Sequence, residues 1–247
     1  TQGPEGAARW LTNDAILYSS GGNFFVLNLT ETSLVQITRE SNPASFISVF
    51  GLVASKDGKL AAYTVSDGSR QRALFVPDYL GEYTTAPTTR RGWTDQRVFV
   101  TSTDGSSERP FEIKLPKPEG VSYIRSLKWA SDNKSLLVDR IDKDTKRRQL
   151  YFVTPAGGKA EKIILVTEET DEKWVAPLSR IVEPAPLDPT RVLFASERDG
   201  FNHLYLAKIE KSTGENVEFS GKVETTQITK GNYEINFAAW NNNPDDA

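Results

Sequence analysis

Histidine and cysteine, two side chains often used for acid–base and nucleophilic chemistry near neutral pH, are nearly absent from this chain. It has one histidine, His203, and no cysteine. A Ser-His-carboxylate mechanism would need that histidine as its base, but its neighbours Leu204 and Tyr205 favour a strand, and so a structural role with both ring nitrogens hydrogen-bonded. One histidine and no cysteine also exclude the usual nitrogen and sulfur metal sites. We therefore predict no catalytic residue, no metal site and no cofactor.

Two charged clusters each have a functional and a structural interpretation. The segment Glu168–Glu172 holds four acidic residues, and such a group could bind an ammonium group or Ca²⁺. Its simpler interpretation is a solvated connection between structural repeats. The run Lys146-Arg147-Arg148 also has a structural interpretation, which is the charged tip of a hairpin.

The best candidate for a binding element is the long stretch from about Pro77 to Asp95. It exceeds the length of an ordinary hairpin turn, and inserted loops in regular repeats often bind or dock. Its candidate contact residues combine three aromatic side chains with two arginines, a mixture suited to covering a neighbouring surface or capturing a carboxylate: Tyr79, Tyr83, Arg90, Arg91 and Trp93. The alternative is a loop packed against its own sheet.

Composition sets limits on the partners. The chain has 247 residues, 26% of them charged, with a net charge of −3 and no methionine. Charge of mixed sign along the chain does not indicate a basic surface that would bind nucleic acid or an anionic membrane. No apolar run approaches the ~18–20 residues that span a bilayer. We predict no nucleic-acid partner and no membrane span, and the absence of methionine leads us to expect a piece of a longer polypeptide.

Turn and strand signals recur along the whole chain. In Arg191–Leu206, two apolar runs flank Glu197-Arg198-Asp199-Gly200, which predicts a β-hairpin. Similar units return about every 40–50 residues with four short strands each, as in propeller blades. We predict one all-β domain over residues 1–247, a propeller segment with four four-stranded antiparallel blades at about 8–40, 45–116, 120–167 and 175–229, and the start of a fifth at 231–240. A two-sheet sandwich is the structural alternative.

An open arc of blades would expose the apolar faces of its two end sheets. Either the arc closes as a small ring or the parent protein has more blades. Bare end sheets would drive self-association by mass action.

Several segments resemble one known family. The hairpin SERDGFNHLYL, followed by Gln227-Ile228-Thr229 and KGNYE, is similar to "SERDGWNHLYL … LTKGNWEV" in the N-terminal propeller of dipeptidyl peptidase IV-like serine peptidases, of the prolyl oligopeptidase clan (peptidase family S9). TEETDEKWV at 167–175 resembles that family's "TEESxxWV", and SKDGK at 55–59 stands where the family has "SPDGK". The resemblance implies a propeller of seven or eight blades over an α/β-hydrolase domain with a Ser-Asp-His site.

The chain departs from that family in two respects. Residues Glu40–Phe46 contain one glutamate where the family has "DWVYEEE", a motif whose glutamate pair grips the substrate's amino terminus, and no Gly-x-Ser-x-Gly elbow occurs in the sequence. We therefore expect a non-catalytic propeller region that gates peptide substrates and docks onto a hydrolase domain of the same parent polypeptide, in the periplasm of a bacterium or secreted from it. The alternative is a free-standing propeller that binds proteins in the periplasm or at the cell surface.

Overall fold

The structure is a computed structural model. It describes residues 5–69, 73–77, 79–87, 95–107, 109–118, 120–156, 159–175, 181–211 and 221–241. These residues form eighteen β-strands and one short 3-10 helix, Pro43–Ser45.

Most of the strands belong to four antiparallel sheets of four strands each, which we number as blades 1 to 4. Blade 1 contains β1 (Glu5–Trp10), β2 (Ala15–Ser20), β3 (Asn23–Asn28) and β4 (Ser33–Gln36). Blade 2 contains β5 (Ile47–Ala54), β6 (Leu60–Asp67), β9 (Asp95–Ser102) and β10 (Phe111–Ile113), and a separate two-stranded sheet of β7 (Ala73–Pro77) and β8 (Tyr83–Pro87) is inserted between β6 and β9. Blade 3 contains β11 (Ser122–Trp129), β12 (Leu136–Asp142), β13 (Arg147–Ala156) and β14 (Lys159–Thr170). Blade 4 contains β15 (Val182–Pro184), β16 (Arg191–Ser196), β17 (His203–Lys211) and β18 (Gly221–Gln227).

The turns between the first two strands of blades 2 and 3 have the same backbone geometry. Gly58 adopts φ +71°, and Asn133 takes the same place in blade 3 with φ +56°. Each donates its backbone N–H to the residue three positions earlier, Ser55 and Ala130 respectively. Glycine and asparagine adopt this left-handed conformation at least cost, so both sequences produce the tight reversal between the first two strands of a blade.

The core lies between successive blades. Alternate side chains of a strand point to opposite faces of its sheet, so each inner blade contributes to two hydrophobic clusters. Blades 1 and 2 share one around Leu17 and Tyr63, blades 2 and 3 share one around Val100 and Val138, and blades 3 and 4 share one around Phe152. This face-to-face stacking of sheets confirms the predicted propeller segment.

Strand alternation separates the connections of every blade onto two edges. One edge carries the turns after β1, β5, β11 and β15. The other edge carries the turns after β2, β12 and β16, the inserted β7–β8 hairpin and the links between blades. We call this second edge the insertion edge and the first the opposite edge.

The segment after blade 4 differs from the prediction. Residues 231–241 form no β-strand within the described part of the chain, because a strand requires a partner strand and none pairs with this segment. The segment nevertheless runs beside blade 4. The backbone N–H of Ile235 donates to the carbonyl of Asn202 at 2.8 Å, and the indole Nε1 of Trp240 donates to the carbonyl of Glu183 at 3.0 Å.

Candidate functional site

The long insertion predicted as a binding loop contains a regular hairpin. Strands β7 and β8 pair antiparallel from Ala73 opposite Pro87 to Pro77 opposite Tyr83. The signal in the sequence was the apolar run Leu74-Phe75-Val76 before Asp78 and the threonine-rich run after Gly81, since aromatic and β-branched residues favour strands. This hairpin projects from the insertion edge of blade 2 as a two-stranded sheet of its own.

The structure describes only part of the predicted contact set. Tyr79 lies in the turn between β7 and β8 with 96% of its surface exposed, and its neighbour Leu80 is 69% exposed. Tyr83 is the first residue of β8. The other three predicted residues, Arg90, Arg91 and Trp93, lie outside the described residues. The tip of this hairpin therefore exposes one aromatic and one aliphatic side chain next to each other.

A buried cluster of ionised side chains lies at the interface of blades 3 and 4, and sequence reasoning missed it. Arg148 was expected at a charged hairpin tip, but its side chain is fully buried in β13. Its guanidinium forms two parallel hydrogen bonds with Asp139, from Nε to Oδ1 at 3.0 Å and from Nη2 to Oδ2 at 3.2 Å. Its Nη1 donates to Glu169 at 3.1 Å and to the backbone carbonyl of Ala195, in blade 4, at 2.8 Å.

The electrostatics of Arg148 are dominated by these partners. Burial disfavours its charged form, but the Asp139 and Glu169 carboxylates outweigh that cost and raise the pKa of Arg148. The period-two alternation of β13 was the available signal, because Arg148 is in phase with Leu150 and Phe152, which face the same buried interface.

The acidic segment Glu168–Glu172 was interpreted as a solvated connection between repeats, and the structure shows a different role for Glu169. The first three residues of the segment belong to β14, and the side chain of Glu169 is only 8% exposed. The hydroxyl of Ser196 donates to Glu169, and Nη2 of Arg198 lies 3.1 Å from the same carboxylate. Glu169 therefore joins β14 to the β16–β17 turn instead of lying in a solvated connection, because two arginines and a hydroxyl satisfy its charge.

Arg198 extends this cluster onto aromatic rings. Its guanidinium carbon lies 4.7 Å from the ring centre of Tyr205 and 5.5 Å from that of Phe194. This cation–π contact adds to the hydrogen bonds that fix the β16–β17 turn against blade 3. The cluster is thus a clamp between two blades, with each charge held by a protein partner.

His203 has the structural role predicted for it. The side chain is 1% exposed. Its Nε2 lies 2.9 Å from the carbonyl oxygen of Gly231, which can only accept, so Nε2 carries the proton. The Thr229 hydroxyl accepts the N–H of Leu204 and donates to Nδ1 at 3.1 Å. Both nitrogens are engaged within the protein, so His203 has no free lone pair to act as a general base.

Neither a metal-binding cluster nor a membrane-spanning helix is present among the described residues. No group of three or more His, Cys, Asp or Glu side chains in this part of the chain is arranged to hold a metal ion. None of its helices is long and apolar enough to cross a bilayer.

Comparison with known proteins identifies relatives over almost the whole chain. The family model described as "Dipeptidyl peptidase IV (DPP IV) N-terminal region" matches residues 8–246. The crystal structure of Porphyromonas gingivalis dipeptidyl peptidase 4 is similar with a TM-score of 0.68 and 17% identity, over 90% of this chain and 32% of that one. A putative dipeptidyl aminopeptidase IV from Bacteroides ovatus is similar with a TM-score of 0.60 and 20% identity, over 92% of this chain and 40% of that one. The chain therefore spans about a third to two fifths of the length of these two proteins.

Proposed function

The chain belongs to the dipeptidyl peptidase IV N-terminal region family, and from that premise we propose that it is the non-catalytic propeller region of a dipeptidyl peptidase IV-like serine peptidase. In this role it restricts the access of peptide substrates and docks onto an α/β-hydrolase domain of the same parent polypeptide. The observation that carries the proposal is the family match over residues 8–246 of a chain built from four stacked blade sheets.

The inserted hairpin supports a docking role. Tyr79 and Leu80 expose apolar surface at its tip, which costs solvation free energy unless a partner covers it. The hairpin leaves the insertion edge, so that edge is our proposed contact with the hydrolase domain.

The chemistry of the chain supports a non-catalytic role. The sequence has no nucleophile elbow and one histidine, and that histidine is buried with both ring nitrogens bonded. A serine peptidase needs a free imidazole nitrogen next to its nucleophile. Hydrolysis must therefore come from groups outside this chain.

The first test measures hydrolysis. We expect the purified chain to leave a proline-containing dipeptide chromogenic substrate uncleaved, while the parent polypeptide cleaves it. Cleavage by the purified chain would overturn the non-catalytic assignment. The gene provides the companion test: a downstream Gly-x-Ser-x-Gly followed by Asp and His agrees with the proposal, and a stop codon favours the free-standing binding module.

The second test addresses docking and uses a matched control. Leu80→Ser removes an apolar side chain from the hairpin tip, whereas Leu187→Ser removes a similarly exposed one from the β15–β16 turn on the opposite edge, the two being 69% and 67% exposed. Loss of a buried interface leucine costs about 2 kcal/mol or more, about 30-fold in affinity. Binding of the separately expressed hydrolase domain, measured by calorimetry, should weaken only for Leu80→Ser. Equal affinities for both variants would exclude the hairpin tip from the interface.

The same proposal includes location. We infer a periplasmic or secreted protein in a bacterium, because peptides to be cleaved are available there, and the absence of cysteine is compatible with an oxidising compartment as well as with a reducing one. Fractionation of the source bacterium with an antibody against the chain should find the parent outside the cytoplasm. Recovery with cytoplasmic marker enzymes would contradict this location.

A further inference from the structure

The backbone hydrogen bond across the first turn of each blade identifies equivalent residues at the ends of the four first strands. In each blade, the residue that opens the first turn donates its backbone N–H across that turn: Leu11 to Ala15, Ser55 to Leu60, Ala130 to Ser135, and Ala185 to Arg191, at 2.8–2.9 Å. The residue before each donor is therefore equivalent from blade to blade. These equivalent residues are Trp10, Ala54, Trp129 and Pro184.

A tryptophan at this position binds the preceding blade. Nε1 of Trp129 donates to the carbonyl of Val53 at 3.0 Å, and Val53 is the residue just before the equivalent position of blade 2. Trp240, in the segment after blade 4, donates to the carbonyl of Glu183 at 3.0 Å, the residue just before the equivalent position of blade 4. Both indoles therefore make the same contact. Each donates a hydrogen bond to the backbone carbonyl of the residue just before the equivalent position in the preceding blade.

Trp10 has the same place in blade 1 but lacks the contact. It is 65% exposed, whereas Trp129 is 9% exposed. Its indole N–H has no acceptor within the described residues. Its cross-strand partner Ile16 is half-buried, whereas the corresponding partners in the other three blades are fully buried: Ala61, Leu136 and Val192.

The rest of the blade 1 outer face is apolar as well. Register places Leu27 opposite Ile16, Phe25 opposite Tyr18 and Leu34 opposite Leu27, all on the face that carries Trp10. The rings of Tyr18 and Phe25 stack with centroids 5.6 Å apart. Leu34 is 54% exposed. This is the composition of a blade-to-blade core without its second blade.

We infer that the outer face of blade 1 is a docking surface for a further four-stranded blade, and that the indole of Trp10 donates a hydrogen bond to a backbone carbonyl on the first strand of that blade. The acceptor is the residue just before the position equivalent to Trp10. The occupant is a blade because the three interfaces within this chain repeat the same geometry, and the same indole bond is made by Trp129 and by Trp240. This inference rests on the proposed function, since the covering blade belongs to the parent polypeptide.

Residue-resolved hydroxyl-radical footprinting tests the contact directly. In the isolated chain at low concentration, Trp10 should be oxidised much faster than Trp129. In the parent polypeptide the rate at Trp10 should fall to the rate at Trp129. An unchanged rate at Trp10 in the parent would overturn the inference. Protection that appears only at high parent concentration would also overturn it, because the occupant would then be a second copy.

The substitution Trp10→Phe separates the hydrogen bond from the apolar contact. Loss of one hydrogen bond of this kind should lower the melting temperature of the larger parent by about 1 °C and leave that of the isolated chain unchanged. The control Trp129→Phe should lower both. Equal effects of Trp10→Phe on the two proteins would contradict the contact.

Failure of this inference and failure of the proposed function are distinguishable. A parent that cleaves the dipeptide substrate while Trp10 stays accessible keeps the proposed function and removes the docked blade. A parent that protects Trp10 but cleaves no peptide keeps the docked blade and removes the peptidase assignment.

Discussion

Arg148 shows how a polar run can become part of a protein core. The sequence around it reads as a solvated hairpin tip, yet its side chain is fully buried and joins three strands of blade 3 to the backbone of blade 4. A buried charge of this kind is tolerated because carboxylates and a carbonyl replace its water. Its partners come from β12 and β14, so no local pattern around Arg148 reveals them.

The neighbouring arginines provide a matched pair of variants. Removing one member of a buried ion pair leaves the other charge unsatisfied, so we expect Arg148→Ala to lower the free energy of unfolding by about 3–5 kcal/mol. Arg147 pairs with Glu168 at 2.9 Å but is 37% exposed, and we expect Arg147→Ala to cost about 1 kcal/mol or less. Chemical denaturation of both variants measures the difference. Similar losses would show that the buried cluster does not clamp the two blades.

Some residue roles followed from the sequence and others did not. The structural role of His203 was predictable, because a lone histidine among strand-forming residues has no catalytic partner. The roles of Arg148 and Glu169 were not, because they depend on which strands become neighbours. The contact residues Arg90, Arg91 and Trp93 stay predictions, since they lie outside the described residues.

At the scale of elements, turn chemistry was the most informative part of the sequence. An Asp-Gly turn in blade 2 and an Asp-Asn turn in blade 3, together with period-two apolar runs, place the first two strands of these two blades correctly. The β7–β8 hairpin was predicted as a loop because its two short strands, ALFVP and YTTAP, lack the period-two alternation of apolar and polar residues. Residues 231–237 have strand-like composition but form no strand, since composition does not provide a pairing partner.

The turn glycines allow a prediction about contact between blades. A Cβ on Gly58 would lie 2.6 Å from Cγ2 of Thr12 in blade 1, whereas a Cβ on Gly81 would meet no atom within 4 Å. Both glycines have positive φ, +71° and +81°, so alanine at either position should cost about 1–2 kcal/mol of backbone strain. Gly58→Ala should lose about 1 kcal/mol more than Gly81→Ala from crowding of the adjacent turn.

Thermal or urea unfolding of the two glycine variants compares these losses. Equal losses would mean that the blade 1 and blade 2 turns do not pack together in solution. A larger loss for Gly81→Ala would assign the tight contact to the inserted hairpin instead.

At the scale of the whole molecule, four stacked sheets leave two end faces, and neither has a neighbouring blade among the described residues. The outer face of blade 1 carries Trp10 and Leu34, both more than half exposed. Apolar area of this kind is worth about 25 cal/mol for each Å² removed from water. When the chain is isolated from the parent polypeptide, its own copies are the only surfaces present to cover that face.

Mass action should therefore make the isolated chain self-associate. We expect light scattering to give 27.5 kDa at high dilution and a rising average mass as concentration increases. The double variant Trp10→Ser with Leu34→Ser should stay closer to the monomer mass, and Leu187→Ser on the opposite edge should behave like the unchanged chain. A concentration-independent monomer mass for the unchanged chain would contradict the exposed-face argument.

We propose that four consecutive blades form the non-catalytic propeller region of a larger peptidase, with the insertion edge towards its hydrolase domain. Electron cryo-microscopy of the parent polypeptide measures this arrangement most directly. We predict a density map in which blades 1 to 4 follow one another around a propeller and the β7–β8 hairpin contacts the hydrolase domain. A map in which that hairpin points away from the hydrolase domain, or in which the four sheets do not stack in sequence order, would contradict the account.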